Sequence, residues 1–503
     1  MMGTTDGQPP LFCVGVDVDD RIPRDHPLRL VKQQVDFSFV RREVSDLYGR
    51  NGNVSIDPEV ILKLLFLLFF DDVKSERELM RQVGYRLDYL WFLDLSLDQE
   101  VPNHSVLSKA RRRWGVDVFE RVFVRTVQQC VEAGLIDGQK VHADATLVDA
   151  DASKDSIKKG SPQLIEALRR VFAEQEAKLD QLNDEQQEDP DKDDTEGSGG
   201  PANQTVNASM VRTTDPDAEV CRQRGGESRP RYKHHRVVDD AHGVITAIDT
   251  TARNVDEGKL LLPLIEQHER HTEQQVKTAI ADSKYGTVDN FVRCQEREIQ
   301  THMSDLKRKQ ANTGRRKDIF AEQMFTYDEV SDTYRCPAGQ TLHRRNWYRK
   351  RQTWEYITGR GVCDSCALRS RCTRSKTGRT IKRQLHHTEL ERARRQSCSV
   401  LAYRDRRRRK HLMEGSFAQG ANLHHLKRSH WRRLWRQKIQ DALIASVQNV
   451  KILVTHARKN RRRVISAAMC PHSVFCRRIG AHWMALCSQI TFGDDRALIA
   501  MRL

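Results

Sequence analysis

The sequence lacks a stretch that is long and apolar enough to cross a membrane. Its longest apolar run, residues 60–70, is interrupted by Lys63, and it is shorter than the roughly 20 residues that a spanning helix needs. Residues 1–10 are polar and no cleavage pattern follows them, so a secretory signal is not expected either. We therefore predict a cytoplasmic protein in which residues 60–70 form a buried helix.

A disulfide-forming cysteine pattern is also lacking. The twelve cysteines among 503 residues are not spaced like those of a small secreted scaffold, which favours a reducing compartment. Four of them are grouped, with one Cys-x-x-Cys pair between two single cysteines: Cys336, Cys363, Cys366 and Cys372. Four thiolates at this spacing fit tetrahedral binding of a structural Zn²⁺ ion. The alternative is a set of reduced thiols in a small β subdomain.

Acidic residues are outnumbered. The chain has 85 lysines and arginines against 69 aspartates and glutamates, a formal net charge of +16 and a pI near 9.4. One acidic run covers 188–196, whereas 404–410 and 432–463 are densely basic. Basic patches suit a polyanion, because neutralising its phosphates releases counterions. A charged run is more often only a solvated surface, so charge alone does not decide for nucleic acid.

The alternation of side chains over residues 139–149 predicts a β strand, with Val141 and Ala143 on one face and His142 and Asp144 on the other. An aspartate within so apolar a strand is costly to desolvate unless a cation neutralises it. The alternative is an edge strand with Asp144 facing water.

A second strand repeats this arrangement. Residues 276–286 are apolar up to Asp282 and end at a glycine, and a third acid, Glu414, lies in a long basic helix. Carboxylates on two strands and a helix are the parts needed to hold two divalent metal ions for phosphodiester chemistry. Glu391, in the preceding helix, competes with Glu414 for the third position. His142 is either a further metal ligand or a packed side chain.

A helical pattern covers the region before the first strand. Asp57 with Pro58 predicts one helix start, and Ser75 with Glu78 has the spacing of a capping box. A short basic helix over 106–114 follows, and two helices with a basic second one are typical of a helix-turn-helix reader of the major groove. Its DNA contacts would come from four basic residues: Lys109, Arg111, Arg112 and Arg113. The alternative is a helical bundle with one basic surface.

The pattern after residue 228 predicts a mixed α/β sheet with the Asp144 strand at or near its centre. A hairpin over 232–250 turns at Gly243, Asp256 begins a helix, and strand, helix and strand follow up to residue 303. The predicted organisation begins with a lead-in at 1–50 and a helical DNA-binding domain at 51–136. The catalytic domain follows in two parts, 137–304, with a mobile acidic insertion at 152–228, and 389–457. An inserted β-rich subdomain at 305–388 separates these parts, and a basic irregular tail covers 458–503.

With these three acids in place, the chain resembles the bacterial insertion-sequence transposases of the DDE class over residues 20–455. The motifs that carry the resemblance are His142-Ala-Asp-Ala-Thr146, Ile280-Ala-Asp-Ser-Lys-Tyr285, Arg407–Lys410 followed by Met413-Glu-Gly-Ser-Phe417, and Gln440–Lys451. The resemblance implies the ribonuclease-H-like α/β fold of that family, with an N-terminal helix-turn-helix-like domain and an inserted β-rich subdomain.

The same resemblance implies an enzyme that hydrolyses DNA at the ends of its element and transfers the freed 3′ hydroxyl into target DNA. Asp144, Asp282 and Glu414 would be the catalytic acids and would hold two Mg²⁺ or Mn²⁺ ions. The implied partners are double-stranded DNA, as terminal inverted repeats and as target, and a second copy of the chain in a homodimer that pairs the two ends. The expected location is the nucleoid of a prokaryotic cell.

One departure from the family concerns the contact with the DNA end. Many relatives place Lys or Arg two helical turns after the glutamate, where this chain has Ala421. Lys427 and Arg428 are expected to take that place, and Arg407 and Lys410 to contact phosphates. Two alternatives stay open: a decayed or domesticated DNA-binding protein of transposase origin, and a nuclease on the same fold.

Overall fold

The computed structural model describes residues 18–49, 55–97, 99–153, 157–159, 161–184, 210–212, 214–222, 228–304, 319–349 and 352–468. Residues 185–209 of the predicted mobile insertion, with its acidic run, lie outside the described residues, as does the tail after residue 468. The chain divides into two compact units, Met1–Val450 and Lys451–Leu503, and the site described below lies in the first. In the described part of the chain, no helix is long and apolar enough to cross a membrane.

The described residues before the first strand are helical. The helices are α1 (Val18–Arg21), α2 (Pro27–Gln34), α3 (Phe39–Glu43), α4 (Pro58–Phe70), α5 (Glu76–Val83), α6 (Leu87–Leu93) and α7 (Ser105–Glu132). Two predicted starts are confirmed, because the Asp57 carboxylate accepts a hydrogen bond from the Glu59 amide at 2.9 Å and the Ser75 hydroxyl accepts one from the Glu78 amide at 3.1 Å. Each cap satisfies an amide that a helix start leaves unpaired.

Two of these helices show how single residues shape the domain. Helix α4 contains the apolar run and is buried throughout 61–70. The one charged residue of that run is paired, because the Lys63 ammonium lies 2.8 Å from Glu59 and 2.7 Å from Asp94. Helix α7 is longer than the predicted 106–114, because the chain kinks at Gly115 (φ +64°) and then continues as helix. A glycine adopts this conformation without the steric cost of a side chain.

The remaining elements follow in chain order. The strands are β1 (Lys140–Asp149), β2 (Ile157–Lys159), β3 (Met210–Arg212), β4 (Glu219–Arg222), β5 (Ser228–Asp239), β6 (Ile245–Ala252), β7 (Thr278–Ala281), β8 (Gln300–Thr301), β9 (Thr326–Asp328), β10 (Thr333–Arg335), β11 (Thr341–Tyr348), β12 (Thr353–Ile357) and β13 (Thr380–Gln384). The helices are α8 (Pro162–Asp184), α9 (Leu261–Thr272), α10 (Val288–Glu296), α11 (Arg369–Cys372), α12 (His387–Ser397), α13 (Val400–Leu423) and α14 (Leu434–Ala468).

Strand β1 lies in the middle of the large sheet, whose order is β6-β5-β1-β7-β8 with β4 on the free end of β5. Strand β5 runs antiparallel to β1 and β6, whereas β1, β7 and β8 are parallel. Three antiparallel strands followed by two parallel ones form the ribonuclease-H-like arrangement that was predicted. The edge-strand alternative for Asp144 is wrong, because β1 is hydrogen-bonded on both sides.

Helices cover both faces of this sheet. On one face, Leu261 of α9, Phe291 of α10 and Leu390 of α12 join Val141 and Val237 in a buried apolar cluster. The other face, which carries Asp144, packs against α13 and α14 through polar contacts. There the Asn449 amide of α14 accepts a hydrogen bond from the Ile245 nitrogen at 2.9 Å and donates one to the Ile245 oxygen at 2.8 Å. These bonds fix α14 at the irregularity where the β5–β6 register shifts.

Strands β9 to β13 form a second, fully antiparallel sheet in consecutive order. This small sheet has an apolar cluster of its own, made by Phe325, Tyr334, Leu342, Tyr356 and Ile381. The β-rich character expected between residues 305 and 388 is therefore present in the described residues of that segment.

Gly286, just after the second aspartate, is a point of close backbone approach. A Cβ atom at this position would lie 2.1 Å from the carbonyl oxygen of Ser304, whereas one at Gly415 of α13 would meet nothing within 4 Å. We expect Gly286→Ala to lower the free energy of unfolding by about 1–3 kcal/mol, and Gly415→Ala to leave it equal or raise it by up to about 1 kcal/mol. Urea denaturation of the two variants checks this; equal midpoints would contradict it.

Candidate functional site

Strand pairing brings Asp144 and Asp282 together. The parallel register of β1 and β7 matches His142 with Ile280 and Ala143 with Ala281, so the next position on each strand is an aspartate. Asp144, within β1, and Asp282, directly after the end of β7, therefore lie at the same level of the sheet, and the negative charge of Asp282 raises the pKa of Asp144. The first two sequence-predicted acids thus lie side by side.

The surroundings of Asp144 disfavour the charged form of its carboxyl group. Burial raises the pKa of Asp144 above its ordinary value, and the negative charge of Asp282 raises it further. The Arg409 guanidinium opposes both effects by donating a hydrogen bond to Oδ2 of Asp144 at 2.5 Å. The pKa of Asp144 is still raised on balance, so one arginine does not fully compensate the half-buried carboxylate.

Helix α13 presents Arg409, not Glu414, to this pair. The Glu414 side chain is 68% exposed and lies 4.0 Å from Lys410 on the solvent side of the helix. Among the described residues, no three His, Cys, Asp or Glu side chains are grouped so that they could hold a metal ion. The structure therefore assembles two of the three predicted acids and leaves the third outside. The competitor Glu391 forms an ion pair with Arg394 of its own helix.

Cations line the face of the sheet around Asp144. Arg236, the partner of Asp144 on β5, is fully buried and donates hydrogen bonds to the Ser416 hydroxyl at 2.8 Å and to Gln448 at 3.1 Å. The Lys427 ammonium donates to the hydroxyl of Thr146, two residues beyond Asp144 on the same face. Lys427 thus reaches the site from outside α13.

A second group of charges beside Asp282 was missed by sequence reasoning. Glu257 is buried, and its carboxylate lies 2.8 Å from the Lys284 ammonium and 3.2 Å from that of Lys233. Tyr285 is also buried, and within the described residues its hydroxyl has no hydrogen-bond partner. Burial and the charges of Glu257, Asp144 and Asp282 raise the pKa of Tyr285, so this hydroxyl stays protonated among three carboxylates. The sequence did not indicate that Lys233 and Glu257 would be buried together, because lysine and glutamate are usually exposed.

His142 is a packed histidine. Its ring is fully buried and lies 2.7 Å from Asp240, which also pairs with Arg408 of α13. Burial lowers the pKa of His142. The Nε2 atom is engaged with Asp240, and among the described residues the Nδ1 atom has no hydrogen-bond partner.

The predicted DNA contacts of α7 divide into exposed and buried residues. Arg111 is 4% exposed, pairs with Glu76 and stacks 3.9 Å from the Trp431 ring centre. Its guanidinium therefore takes part in packing inside the protein and offers little surface for the predicted DNA contact. Lys109 and Arg113 are exposed and Arg112 is half-buried.

The other predicted phosphate contacts lie on α13 and in the segment after it. Arg407 and Lys410 are exposed on the solvent side of α13. Arg428 forms a parallel backbone bridge to Asp149 at the end of β1. The segment that carries Lys427 and Arg428 is thereby fixed to the strand of the first aspartate.

The four grouped cysteines line one pocket of the small sheet's subdomain. Burial raises the pKa of Cys372, and the neighbouring Cys336, Cys363 and Cys366 raise it further. Cys336 begins a tight turn in which its sulfur accepts a hydrogen bond from the Gln340 amide at 3.3 Å. The thiols converge, although in this conformation no three of them are grouped as metal ligands among the described residues.

Two family comparisons match segments on either side of the two aspartates. Residues 16–113 match the family described as Transposase domain (DUF772), and residues 335–454, which include Glu414, match the family described as Transposase DDE domain. The two matched segments are thus similar to transposase families, and the second of them to a DDE domain. The DDE domain family implies a DNA-cleaving and strand-transferring enzyme, of a class that uses divalent metal ions.

Solved transposase structures are only distantly similar. The piggyBac transposase synaptic complex with hairpin DNA is 9% identical, with 86% of this chain and 75% of that chain covered and a TM-score of 0.32. The Mos1 transposase paired-end complex with left transposon end is 11% identical, with 52% and 64% covered and a TM-score of 0.16. No curated protein matches the chain significantly.

The raised pKa of Asp144 predicts that the protein is more stable without this charge. A carboxyl whose pKa is raised by folding destabilises the folded state above that pKa, and the cost vanishes as the pH falls below the unfolded value near 3.8. We expect Asp144→Asn to raise the thermal midpoint at pH 7 to 8, with a gain that shrinks towards pH 4.

The matched control is Asp57→Asn, which keeps a helix-capping side chain. The Arg41 hydrogen bond lowers the pKa of Asp57, so this variant should lose stability at neutral pH. A lower thermal midpoint for Asp144→Asn at pH 7 to 8 would contradict the account of the site.

Proposed function

We propose that this protein is a transposase that cleaves the ends of its own element and joins the freed 3′ ends to target DNA, with Asp144 and Asp282 as the ligands on which its Mg²⁺ or Mn²⁺ ions depend. The observation that carries the proposal is the parallel register of β1 and β7, which places Asp144 level with Asp282, the residue that follows β7. Two like charges in such a place are unfavourable unless cations stand between them.

The donor set suits a hard divalent cation. Carboxylate oxygens are the ligands that Mg²⁺ takes in proteins, few at a time, with water and substrate phosphate completing its shell. The raised pKa of Asp144 means that a further positive charge is favoured there even beside Arg409. Glu414 is our proposed third acid, and it would have to approach the pair from the solvent side of α13.

Bound metal ions of this kind activate a water or hydroxyl nucleophile and stabilise the leaving oxygen. The residues of the chain contribute position and charge. Arg409 holds Asp144 in place through its hydrogen bond, and Lys427, which already reaches Thr146, would contact the DNA strand next to the cleaved bond. This assigns to Lys427 the contact that relatives make from the position of Ala421.

DNA binding would be shared between the helical region at 51–136 and the catalytic parts at 137–304 and 389–457. Lys109, Arg112 and Arg113 would contact the terminal repeat, and Arg407, Lys410 and Arg428 the phosphates near the cleaved bond. Two copies of the chain would pair the two ends of the element. We place this activity on the nucleoid DNA of a prokaryotic cytoplasm.

Cleavage of a labelled duplex that carries the terminal inverted repeat tests the assignment of the acids. We expect Asp144→Asn, Asp282→Asn and Glu414→Gln each to lose cleavage by roughly three orders of magnitude or more, while a gel-shift assay shows DNA binding retained. Glu391→Gln is the matched control and should keep its activity.

The neighbouring acid Glu257 supplies the decisive comparison. Full activity in Glu414→Gln with loss in Glu257→Gln would move the third acid to Glu257. A wild-type protein that binds the duplex but does not cleave it with Mg²⁺ or Mn²⁺ would favour the decayed, non-catalytic alternative. Cleavage without regard to the repeat would favour the nuclease.

We propose in addition that Cys336, Cys363, Cys366 and Cys372 bind one structural Zn²⁺ ion. All four line a single pocket, and the amide-to-sulfur hydrogen bond at Cys336 would stabilise a thiolate there. Zinc binding requires the thiols to lose their protons, so metal would offset the mutual repulsion that raises the pKa of Cys372.

Elemental analysis of the purified protein checks the zinc proposal. We expect about one zinc per chain, a loss of most of it in Cys363→Ser, and full retention in Cys398→Ser, which replaces an exposed cysteine outside the group. Equal zinc in Cys363→Ser and the parent protein would rule the site out.

A further inference from the structure

Two lysines share one glutamate beside Asp282. The Glu257 carboxylate lies 2.8 Å from the Lys284 ammonium and 3.2 Å from the Lys233 ammonium. Burial lowers the pKa of Lys233, and the positive charges of Arg253 and Lys284 lower it further. Within this group, one carboxylate therefore faces two ammonium ions that repel each other.

The two lysines differ in their exposure to solvent. The side chains of Lys233 and Glu257 are 7% and 8% exposed, whereas that of Lys284 is 60% exposed. Glu257 and Lys233 depend on each other, because breaking a buried pair leaves an uncompensated charge inside the protein. An exposed ion pair contributes little to stability. Glu257 thus holds the ammonium of Lys284 in place, while most of the Lys284 side chain stays open to solvent.

The backbone around Lys284 is fixed. The Tyr285 amide donates a hydrogen bond to the Asp282 carbonyl oxygen at 3.0 Å, which closes a turn directly after the second aspartate. The 3-10 helix Glu257–Leu260 packs closely against this turn, because a Cβ atom at Gly258 would lie 3.2 Å from the Lys284 carbonyl oxygen. A charge that is positioned before its ligand arrives loses less freedom when it binds.

The turn also places Lys284 close to the paired aspartates. Lys284 follows Asp282 by two residues, so its Cα atom is at most roughly 7 Å from that of Asp282. Successive phosphates of one DNA strand advance by about 3.4 Å along the helix axis. A phosphate bound to Lys284 would therefore lie within about three nucleotides of a bond cleaved at the aspartates.

We propose that Lys284 binds a backbone phosphate of the DNA strand within about three nucleotides of the cleaved bond. The inference rests on the proposed function, since it takes the position of the cleaved bond from Asp144 and Asp282. An ammonium group binds a phosphate as a point charge, and such a contact positions the DNA without reading its bases.

The test uses the full chain and the terminal-repeat duplex, labelled for fluorescence anisotropy, over a series of salt concentrations. We expect Lys284→Gln to bind more weakly and to flatten the slope of log K against log salt by roughly one. Lys284→Arg keeps the charge and should keep the slope. Lys259→Gln removes an exposed lysine from the 3-10 helix that carries Glu257, and it should change neither quantity.

Duplexes with a neutral methylphosphonate at single positions identify the phosphate. We expect one position within about three nucleotides of the cleaved bond to weaken wild-type binding and to have no further effect in Lys284→Gln. If every position weakens both proteins equally, or if the salt slope is unchanged in Lys284→Gln, the proposal for Lys284 is overturned.

Unfolding midpoints show whether a changed slope reports binding. We expect the midpoint of Lys284→Gln to equal that of the wild-type protein, because the lost ion pair is exposed. A lowered midpoint together with an unchanged salt slope would make Lys284 a structural residue and would overturn the proposal.

Cleavage measured on the same duplex separates this inference from the proposed function. Loss of cleavage in Asp144→Asn with an unchanged salt slope in Lys284→Gln would overturn the assignment of Lys284 alone. Cleavage that persists in Asp144→Asn would overturn the proposed function, whatever the lysine variants do.

Discussion

The repulsion between two neighbouring carboxylates is the constraint on which the rest of this site depends. Asp144 and Asp282 lie at the same level because two parallel strands pair in a fixed register. Burial makes the charge of Asp144 more costly than it would be in water, and the charge of Asp282 adds to that cost. The surroundings therefore have to supply positive charge, and the structure does so with arginine and lysine from several elements.

The cations around the two aspartates come from three different elements. Arg409 reaches in from α13, Arg236 stands opposite on β5, and Lys427 arrives from the segment that is bridged to the end of β1. This arrangement leaves Asp144 with a raised pKa, which is a cost in stability that a purely structural protein would have little reason to keep. Carboxyl groups with perturbed pKa values are frequent at sites of binding or catalysis.

Features that depend on local rules were predictable from the sequence. Strict alternation located β1 and the face of Asp144, and capping residues located the starts of α4 and α5. The order of strands and helices along the chain indicated the mixed sheet with β1 at its centre. These features depend on neighbours within a few residues, which a single sequence displays.

Features set by the packing of distant segments could not be predicted in this way. The side of α13 that faces the sheet depends on how the helix is rotated, and this rotation turns Arg409 inwards and Glu414 outwards. Arg111 was predicted to be a surface cation because its neighbours in sequence do not indicate its contacts with Trp431 and Glu76. The Lys233–Glu257–Lys284 group joins residues of three elements, and each of them alone resembles an ordinary exposed charge.

The most direct measurement of the central claim is a map of where a divalent cation binds. Fe²⁺ substituted for Mg²⁺, with ascorbate and peroxide, produces hydroxyl radicals that cut the polypeptide next to the bound ion. The account predicts backbone cuts close to residues 144 and 282 that excess Mg²⁺ suppresses and that Asp144→Asn removes. Cuts confined to other regions, such as the acidic run at 188–196, would contradict it.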